Sequence, residues 1–576
     1  MEEKKTSFLP TSVKELQALG WENVDIILFT GDAYVDHPSF GTAVIGRVLE
    51  AAGYRVAIVP QPNWQDDLRD FRKLGKPRLF FGVSSGSMDS MVNHYTAGKR
   101  LRRNDAYTPE GRAGARPDRA ATVYTRILKK LYPDVPVVLG GIEASLRRLG
   151  HYDYWDDAWK PSVLAESGAD YLIYGMGEAP VLALARALRE GATTEALRSL
   201  PQTAWYADSQ TCINGYYTDS VVLQCYEDCV ASKKACISNF NIIESEANRV
   251  AASRLIEPTG GGFVVVNPPY PAPSTAELDA IYDLPFTRLP HPRYKDKHIP
   301  AYEMIKHSVC LHRGCFGGCS FCTLAAHQGR QIVSRSQDSV LRELGKQLQH
   351  PDFKGVISDL GGPSANMYGM GGKNKALCNK CLRKSCLFPV LCKNLDHSHE
   401  ALLKLYRAVR ELPGLRHAFV GSGIRYDLFL DAQGFLDDSG RQYFEELLRH
   451  HVSGRLKVAP EHTEDEVLHC MGKPSFRLFE TLKQVFDRQN RAEGLRLQLI
   501  PYFISAHPGC RDLDMQALAK KLRSHSMSVE QVQDFTPTPM TRSSLMFYTG
   551  YDPESQKSLF VARYKEMKMR QKEYFF

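Results

Sequence analysis

Long apolar runs are missing from this chain. No stretch of its 576 residues approaches the roughly 18 consecutive apolar residues that cross a bilayer. The opening "MEEKKTSFLPTSVKEL" has no apolar core of the kind a secretory signal carries. A cytoplasmic address, away from any membrane, is therefore expected. A strong charge of either sign is missing too: 73 Lys+Arg against 65 Asp+Glu leaves +8, too dilute over such a surface to indicate nucleic acid. With 43% apolar and 24% charged residues the composition does not favour disorder. Cysteine is not scarce, at 14 residues, but a reducing compartment argues against a disulfide framework, so where the thiols cluster matters more than their number. The length calls for two or more domains, because single cores stop growing near 250–300 residues.

Residues 24–59 read as strand, loop, helix and second strand. Val44, Ile45, Val48, Leu49 and Ala52 fall on one helical face, and Gly53 closes the helix. Further apolar strands are expected at 78–84, 135–141 and 169–175, with helices at 118–131 and 178–189. Together they predict an α/β domain with a five-strand, doubly wound, Rossmann-like sheet over 1–204. The basic stretch "AGKRLRRNDAYTPEGRAGARPDR" reads as a solvated surface loop, with an anion or partner contact as the alternative. Turn-rich residues 205–303, around one helix near 241–255, read as a connector. From 304 to 536 strands (307–312, 354–360, 416–422, 454–460, 495–505 and 529–535) alternate with amphipathic helices. The first of these helices is capped by Ser336 and buries Val340, Leu341, Leu344 and Leu348. Six parallel strands joined by right-handed crossovers predict a partial (β/α)6 barrel of TIM type, followed by a C-terminal extension, 537–576.

The sharpest local feature is "RGCFGGCSFC", with Cys315, Cys319 and Cys322 just after the first strand of that array, on the rim where barrel active sites assemble. Three thiolates can ligate three irons of a 4Fe–4S cube and leave the fourth iron open. A structural zinc would want a fourth protein ligand, and a catalytic zinc would usually add histidine or carboxylate. Cys310 precedes the set inside a strand and is expected in the core.

This loop resembles the cysteine signature of the radical S-adenosylmethionine (SAM) enzymes. The phrases "HPRYKDKHIPAYEMIKHSV", "SDLGGPSANMYGM", "GGIEASLRRLGHYDYW" and "VQDFTPTPMT" are similar to those of one branch, the YgiQ family, from about residue 10 to the C-terminus. The resemblance implies that Cys315, Cys319 and Cys322 bind a 4Fe–4S cluster, that Phe321 lies against the SAM adenine, and that Gly361 and Gly362 receive the SAM amino group, with Pro363 where Glu is frequent. Ser422, Arg425 and Glu461, at later strand ends, are candidate polar contacts. The implied chemistry is reductive cleavage of SAM to methionine and a 5′-deoxyadenosyl radical, fed by a flavodoxin- or ferredoxin-type reductant.

A second set, "CNKCLRKSCLFPVLC", brings Cys378, Cys381, Cys386 and Cys392 into an insertion over 372–399. Four thiols suit a structural zinc or a further Fe–S cluster, and spacing does not choose between them. "HSH" (397–399) reads as two exposed loop histidines beside a weaker metal-binding alternative. The N-terminal domain resembles the cobalamin-binding domains that precede some radical SAM barrels, whose ligating loop often shows Asp-x-His-x-x-Gly. In "VDHPSFG" Asp36 and His37 are adjacent and Gly41 lies four beyond the histidine, so His37 is expected as an ordinary loop residue and cobalamin is not expected. Glu143, after the fourth strand, is a candidate ligand position. Two alternatives stand beside a SAM-cleaving enzyme: a cobalamin-assisted methyltransferase, and a zinc-stabilised RNA-binding or scaffold protein using "KRLRR" and the second cysteine set.

Overall fold

The computed structural model describes residues 7–209, 215–216, 218–525, 527, 530 and 532–575. It divides into two compact units: 1–246 with 251–271 and 280–306, and 247–250 with 272–279 and 307–576.

The first unit is built on one mixed sheet. Apolar runs form β1 (Ile26–Thr30), β2 (Val56–Pro60), β3 (Phe80–Ser84), β4 (Val137–Leu139) and β5 (Tyr171–Ile173). They pair in parallel in the order β2-β1-β3-β4-β5. Both faces of β1 and β2 are buried, as expected of parallel strands covered by helices on each side. The outer edge of β2 is covered as well: the Ile58 N–H donates to the Pro10 carbonyl at 2.9 Å, so the edge offers no free ladder there. The helices Gly41–Ala51, Ala120–Leu131 and Glu178–Arg189 fall where the apolar periodicity puts them.

The stretch expected as a connector is not one. β6 (Thr203–Ala207), β7 (Ser220–Val222), β8 (Arg254–Thr259) and β9 (Gly262–Val266) extend the same sheet to nine strands, ordered β2-β1-β3-β4-β5-β6-β9-β8-β7. "PTGGG" is the turn of the antiparallel β8–β9 pair, a signal read correctly as a turn and wrongly as the sign of a linker. The helix expected near 241–255 lies at Lys233–Ala247.

In the second unit the six expected strands appear as short parallel ladders. β10 (Ser308–Cys310) pairs with β12 (Asp359–Gly361), and β11 (Val356–Ile357) pairs with β13 (His417–Ala418). The Leu360 N–H reaches the Phe419 carbonyl at 2.7 Å, so these segments run side by side. β14 (Arg455–Glu461), β15 (Gln498–Ser505) and β16 (Val532–Asp534) form a separate three-strand parallel sheet. Residues 529 and 531 of the strand expected at 529–535 lie outside the described residues. The helix Gln337–Gln347 starts as expected, with Ser336 Oγ accepting from the Ser339 N–H at 3.1 Å and with Val340 and Leu344 buried. Together with Leu402, Tyr406, Phe444 and Phe479 they belong to one core. Among the described residues no helix is long and apolar enough to cross a membrane.

One buried acid gives the first unit a measurable pH dependence. Glu257 on β8 is 1% exposed and accepts the Gly150 N–H at 2.8 Å. Burial raises its carboxyl from 4.5 to about 7, opposed by that hydrogen bond. Between those values the folded chain holds a proton that the unfolded chain has released. The stabilising contribution is therefore complete below pH 4.5 and is lost as pH rises through 7, a difference on the order of 3 kcal/mol. Glu257→Gln is expected to raise the denaturant midpoint at pH 8 and leave it nearly unchanged at pH 4.5. Parallel pH profiles for the two proteins would contradict this assignment.

Candidate functional site

The loop carrying the three cysteines is set up by the chain on either side of it. After β10, residues His312–Arg313 pair with Val333–Ser334 in an antiparallel bridge. The neck of the loop is closed by the Cys315 N–H on the Gly329 carbonyl at 3.1 Å, and its last turn by the Cys322 N–H on the Cys319 carbonyl at 3.1 Å. All three thiols are half-buried. Burial pushes the Cys315 thiol up, with the Cys319 charge adding to it. The Cys322 thiol is pushed up to about 12, by burial first and then by Cys319, Cys315 and Glu461. Left alone, these thiols resist ionisation; a bound cation reverses that balance.

Arg425 supplies the protein's own positive charge. Its Nη1 donates to Cys319 Sγ at 3.2 Å, while Nε and Nη2 donate to the Asp427 carboxylate at 2.9 and 2.5 Å. Burial alone would raise the pKa of Asp427, but Arg425 and Lys473 hold it below its ordinary value. Asn366 fixes the backbone beneath: Oδ1 accepts the Arg425 N–H at 2.7 Å and Nδ2 donates to the Arg425 carbonyl at 2.9 Å. Neither Asp427 nor Asn366 was singled out by sequence, although Asp427 stands two residues after Arg425 and Asn366 lies within "GGPSAN".

The other expected positions divide. Gly361 and Gly362 end β12 in tight quarters: a Cβ on Gly361 would lie 3.0 Å from Ser422 Oγ, and one on Gly362 would lie 2.7 Å from His312 Nε2. A side chain at either place would require these neighbours to shift. Ser422, read as a contact for a bound molecule, is committed within the protein. Its hydroxyl donates to Asp359 Oδ2 at 2.5 Å, and Asp359 Oδ1 accepts the N–H groups of Gly421 and Ser422 at 2.8 and 3.0 Å. Asp359, two residues before the glycine pair, is thus the residue that shapes this turn. Phe321 packs against the core and meets the His507 ring edge-on, with centroids 6.2 Å apart. Glu461 ends β14 with φ +69, a left-handed conformation costly for a side chain with a Cβ and frequent at functional strand ends. Burial raises its pKa against the opposing pull of Lys473 and Arg425, with Lys473 Nζ 3.7 Å from its carboxylate. Cys310 is half-buried rather than core, and its thiol donates to the His312 carbonyl at 3.2 Å.

The second cysteine set folds against the first. Ser385 Oγ donates to the Gly317 carbonyl at 2.6 Å, and the Cys386 N–H donates to the Phe316 carbonyl at 3.1 Å. Gly318 has φ +65, and a Cβ there would strike the Lys384 carbonyl at 2.5 Å. The expectation of two exposed histidines fails: His399 is fully buried, stacks on Tyr443 with centroids 4.4 Å apart and bonds Asn366 at 3.1 Å. His397 is half-buried beside Asp437. Among the described residues, no three His, Cys, Asp or Glu side chains converge as closely as a single ion requires. A cube makes a different demand, since each thiolate takes its own iron. The donor set fits it: soft, charge-starved thiols beside a guanidinium.

The N-terminal candidates are engaged in the fold. Asp36 is fully buried and ion-paired with Arg47 at 2.5 Å. His37 Nδ1 accepts the Ser39 N–H at 3.1 Å, and its Nε2 lies 2.8 Å from Arg288 Nη1. Glu143 accepts the N–H groups of Ser90 and Ala121 at 2.7 and 3.0 Å, across the first turns of two helices. The basic loop is only in part solvated: residues 99–104 are exposed, but Arg116 is buried and paired with Asp32 and Asp105.

The family model described as "Radical SAM N-terminal" matches residues 8–308. A UPF0313 protein of Bacteroides thetaiotaomicron is 56% identical, over 100% of this chain and 94% of its own length. One from Methanosarcina acetivorans is 44% identical (98% and 78%), and the UPF0313 protein YgiQ of Escherichia coli is 44% identical (95% and 80%). Among solved structures, the radical SAM methyltransferase TsrM of Kitasatospora setae, with tryptophan and a SAM analogue bound, aligns over 88% of this chain and 73% of its own at 14% identity and a TM-score of 0.48, too distant a likeness to bear on chemistry. The full-length relatives and the family model agree: the chain belongs to the UPF0313, or YgiQ, family of radical SAM proteins.

Proposed function

We propose that the chain is an enzyme that cleaves SAM reductively, with Cys315, Cys319 and Cys322 holding a 4Fe–4S cluster. The observation that carries the reading is the arrangement of three thiols on one closed loop at the end of β10, with Arg425 donating to the middle one. When bound, the cluster supplies one electron to the sulfonium of SAM, giving methionine and a 5′-deoxyadenosyl radical that takes hydrogen from a second molecule.

The protein's part is to position and shield. Gly361 and Gly362 carry no side chain where β12 ends, which suits the approach of an amino group to the backbone there. Phe321 offers an apolar face for an adenine. Arg425, held by Asp427 and Asn366, donates to sulfur, and hydrogen bonds to cluster sulfurs tune the reduction potential. Glu461 and Lys473 add a buried polar pair on the same rim. This reading includes a doubly wound N-terminal sheet, a partial barrel in the second unit and a flavodoxin- or ferredoxin-type reductant in the cytoplasm.

Protein reconstituted anaerobically with iron and sulfide, then given SAM and dithionite, is expected to form 5′-deoxyadenosine. Cys315→Ala, Cys319→Ala and Cys322→Ala should each reduce that yield to the level of a protein-free control. Product formation unaffected by the three substitutions would refute the assignment.

Arg425→Lys tests the positioning residue. It keeps the charge but loses the planar fork that engages Asp427 and Cys319 together. Activity is expected to fall roughly 10- to 100-fold, with a lower midpoint potential in a redox titration followed by electron paramagnetic resonance. An unchanged potential would show that Arg425 serves only the fold.

A further inference from the structure

We infer that Cys378, Cys381, Cys386 and Cys392 hold a second iron–sulfur cluster, on a segment hydrogen-bonded to the loop that carries the first three cysteines. The claim is separate from SAM cleavage, and each can fail alone.

Four observations carry it. The donor set consists only of thiols, which narrows the ligand to zinc or an iron–sulfur cluster. Two of these sulfurs already accept hydrogen bonds. The Arg383 N–H points at Cys381 Sγ at 3.4 Å, from two residues ahead, and Asn394 Nδ2 points at Cys378 Sγ at 3.2 Å. Donors aimed at sulfur favour the thiolate that a metal needs and are typical of the surroundings of a metal ligand. The segment is also folded around these cysteines, with the Cys381 N–H on the Cys378 carbonyl at 3.1 Å and the Cys392 N–H on the Cys386 carbonyl at 2.8 Å. Finally, Cys386 and Cys392 pack, together with Cys315, against an apolar shell of Phe316, Met367, Met370, Leu387, Leu395 and Leu428.

Zinc draws four sulfurs to about 2.3 Å from one point, whereas a cube spreads four thiolates over four irons and brings sulfide with it. Because Cys386 and Cys392 share their apolar shell with Cys315, the set is assigned the same chemistry as the first, and metal and sulfide content decide between the two ligands. The location gives the second cluster a consequence for the first loop. Ser385 and Cys386 clamp the Gly317 and Phe316 carbonyls, and Arg330 bonds the Arg383 carbonyl. Ordering residues 378–392 around a cluster therefore also orders the backbone between Cys315 and Cys319.

The test counts metal with one set removed at a time. C315A/C319A/C322A protein, grown with iron and zinc both in supply and reconstituted anaerobically, is expected to keep about four irons and about four sulfides per chain. C378S/C381S protein should lose that share. In the intact protein, reduced with dithionite, SAM should change one of two resonance signals and leave the other as it was, a readout that needs no variant to fold. Zinc in place of iron in the triple variant, or no metal at all, would overturn the inference. So would a single signal in the intact protein that SAM changes completely. Failure of SAM cleavage with the tetrathiol iron retained would count against the proposed activity alone.

Discussion

The cysteine loop of the second unit turns on the cost of ionising thiols in a partly buried place. Burial raises Cys315 and Cys322, so the loop disfavours the ionised form that a metal requires. The charged groups nearest to it compensate only in part: Arg425 pulls the Cys315 pKa down against burial. Arg425 is matched by Asp427 and Lys473 by Glu461, so the four side chains cancel. Three thiolates here would be a net negative charge in a poorly solvated place, a cost of several kcal/mol per ion unless it is met. That is the cost the cation proposed above would meet.

The same accounting explains why Asn366 and Asp359 matter although neither faces a thiol. A guanidinium held by its carboxylate alone could swing with it. Asn366 fixes the Arg425 backbone through both its N–H and its carbonyl, so the donor to Cys319 has a defined origin. Asp359 does the equivalent for the turn at Gly421–Ser422. These strand ends are thus backbone turns held by the amide of Asn366 and the carboxylate of Asp359.

What the sequence disclosed follows the range over which its signals act. The cysteine loop, strands β1–β5 and the helix capped by Ser336 were legible because apolar runs, periodicity and caps are local. Residues 205–303 were misread because β6 and β9 pair antiparallel across nearly sixty residues, and the Gly-rich turn between β8 and β9 looks the same in a hairpin and in a linker. Ser422 was read as a polar contact from its place at a strand end alone, because its hydrogen-bond partner lies 63 positions away. Arg116 was assigned to solvent because its partner Asp32, far away in sequence, is invisible to a charge count. Buried polar pairing is non-local, and a single sequence carries no period for it.

The first unit shows the other use of the same physics. In open α/β sheets the crevice beyond the strand carboxyl ends is where anions bind, because helix N-termini point there. Here Glu143 already occupies that position, accepting N–H groups at the start of two helices. Beside it Asp89 pairs with Arg147, and Asp32 with Arg116. Any phosphate at these N–H groups would have to displace a carboxylate that is 1% exposed and leave it without donors, which costs more than an exposed contact returns. At these two helix starts the N–H groups are spent on the fold.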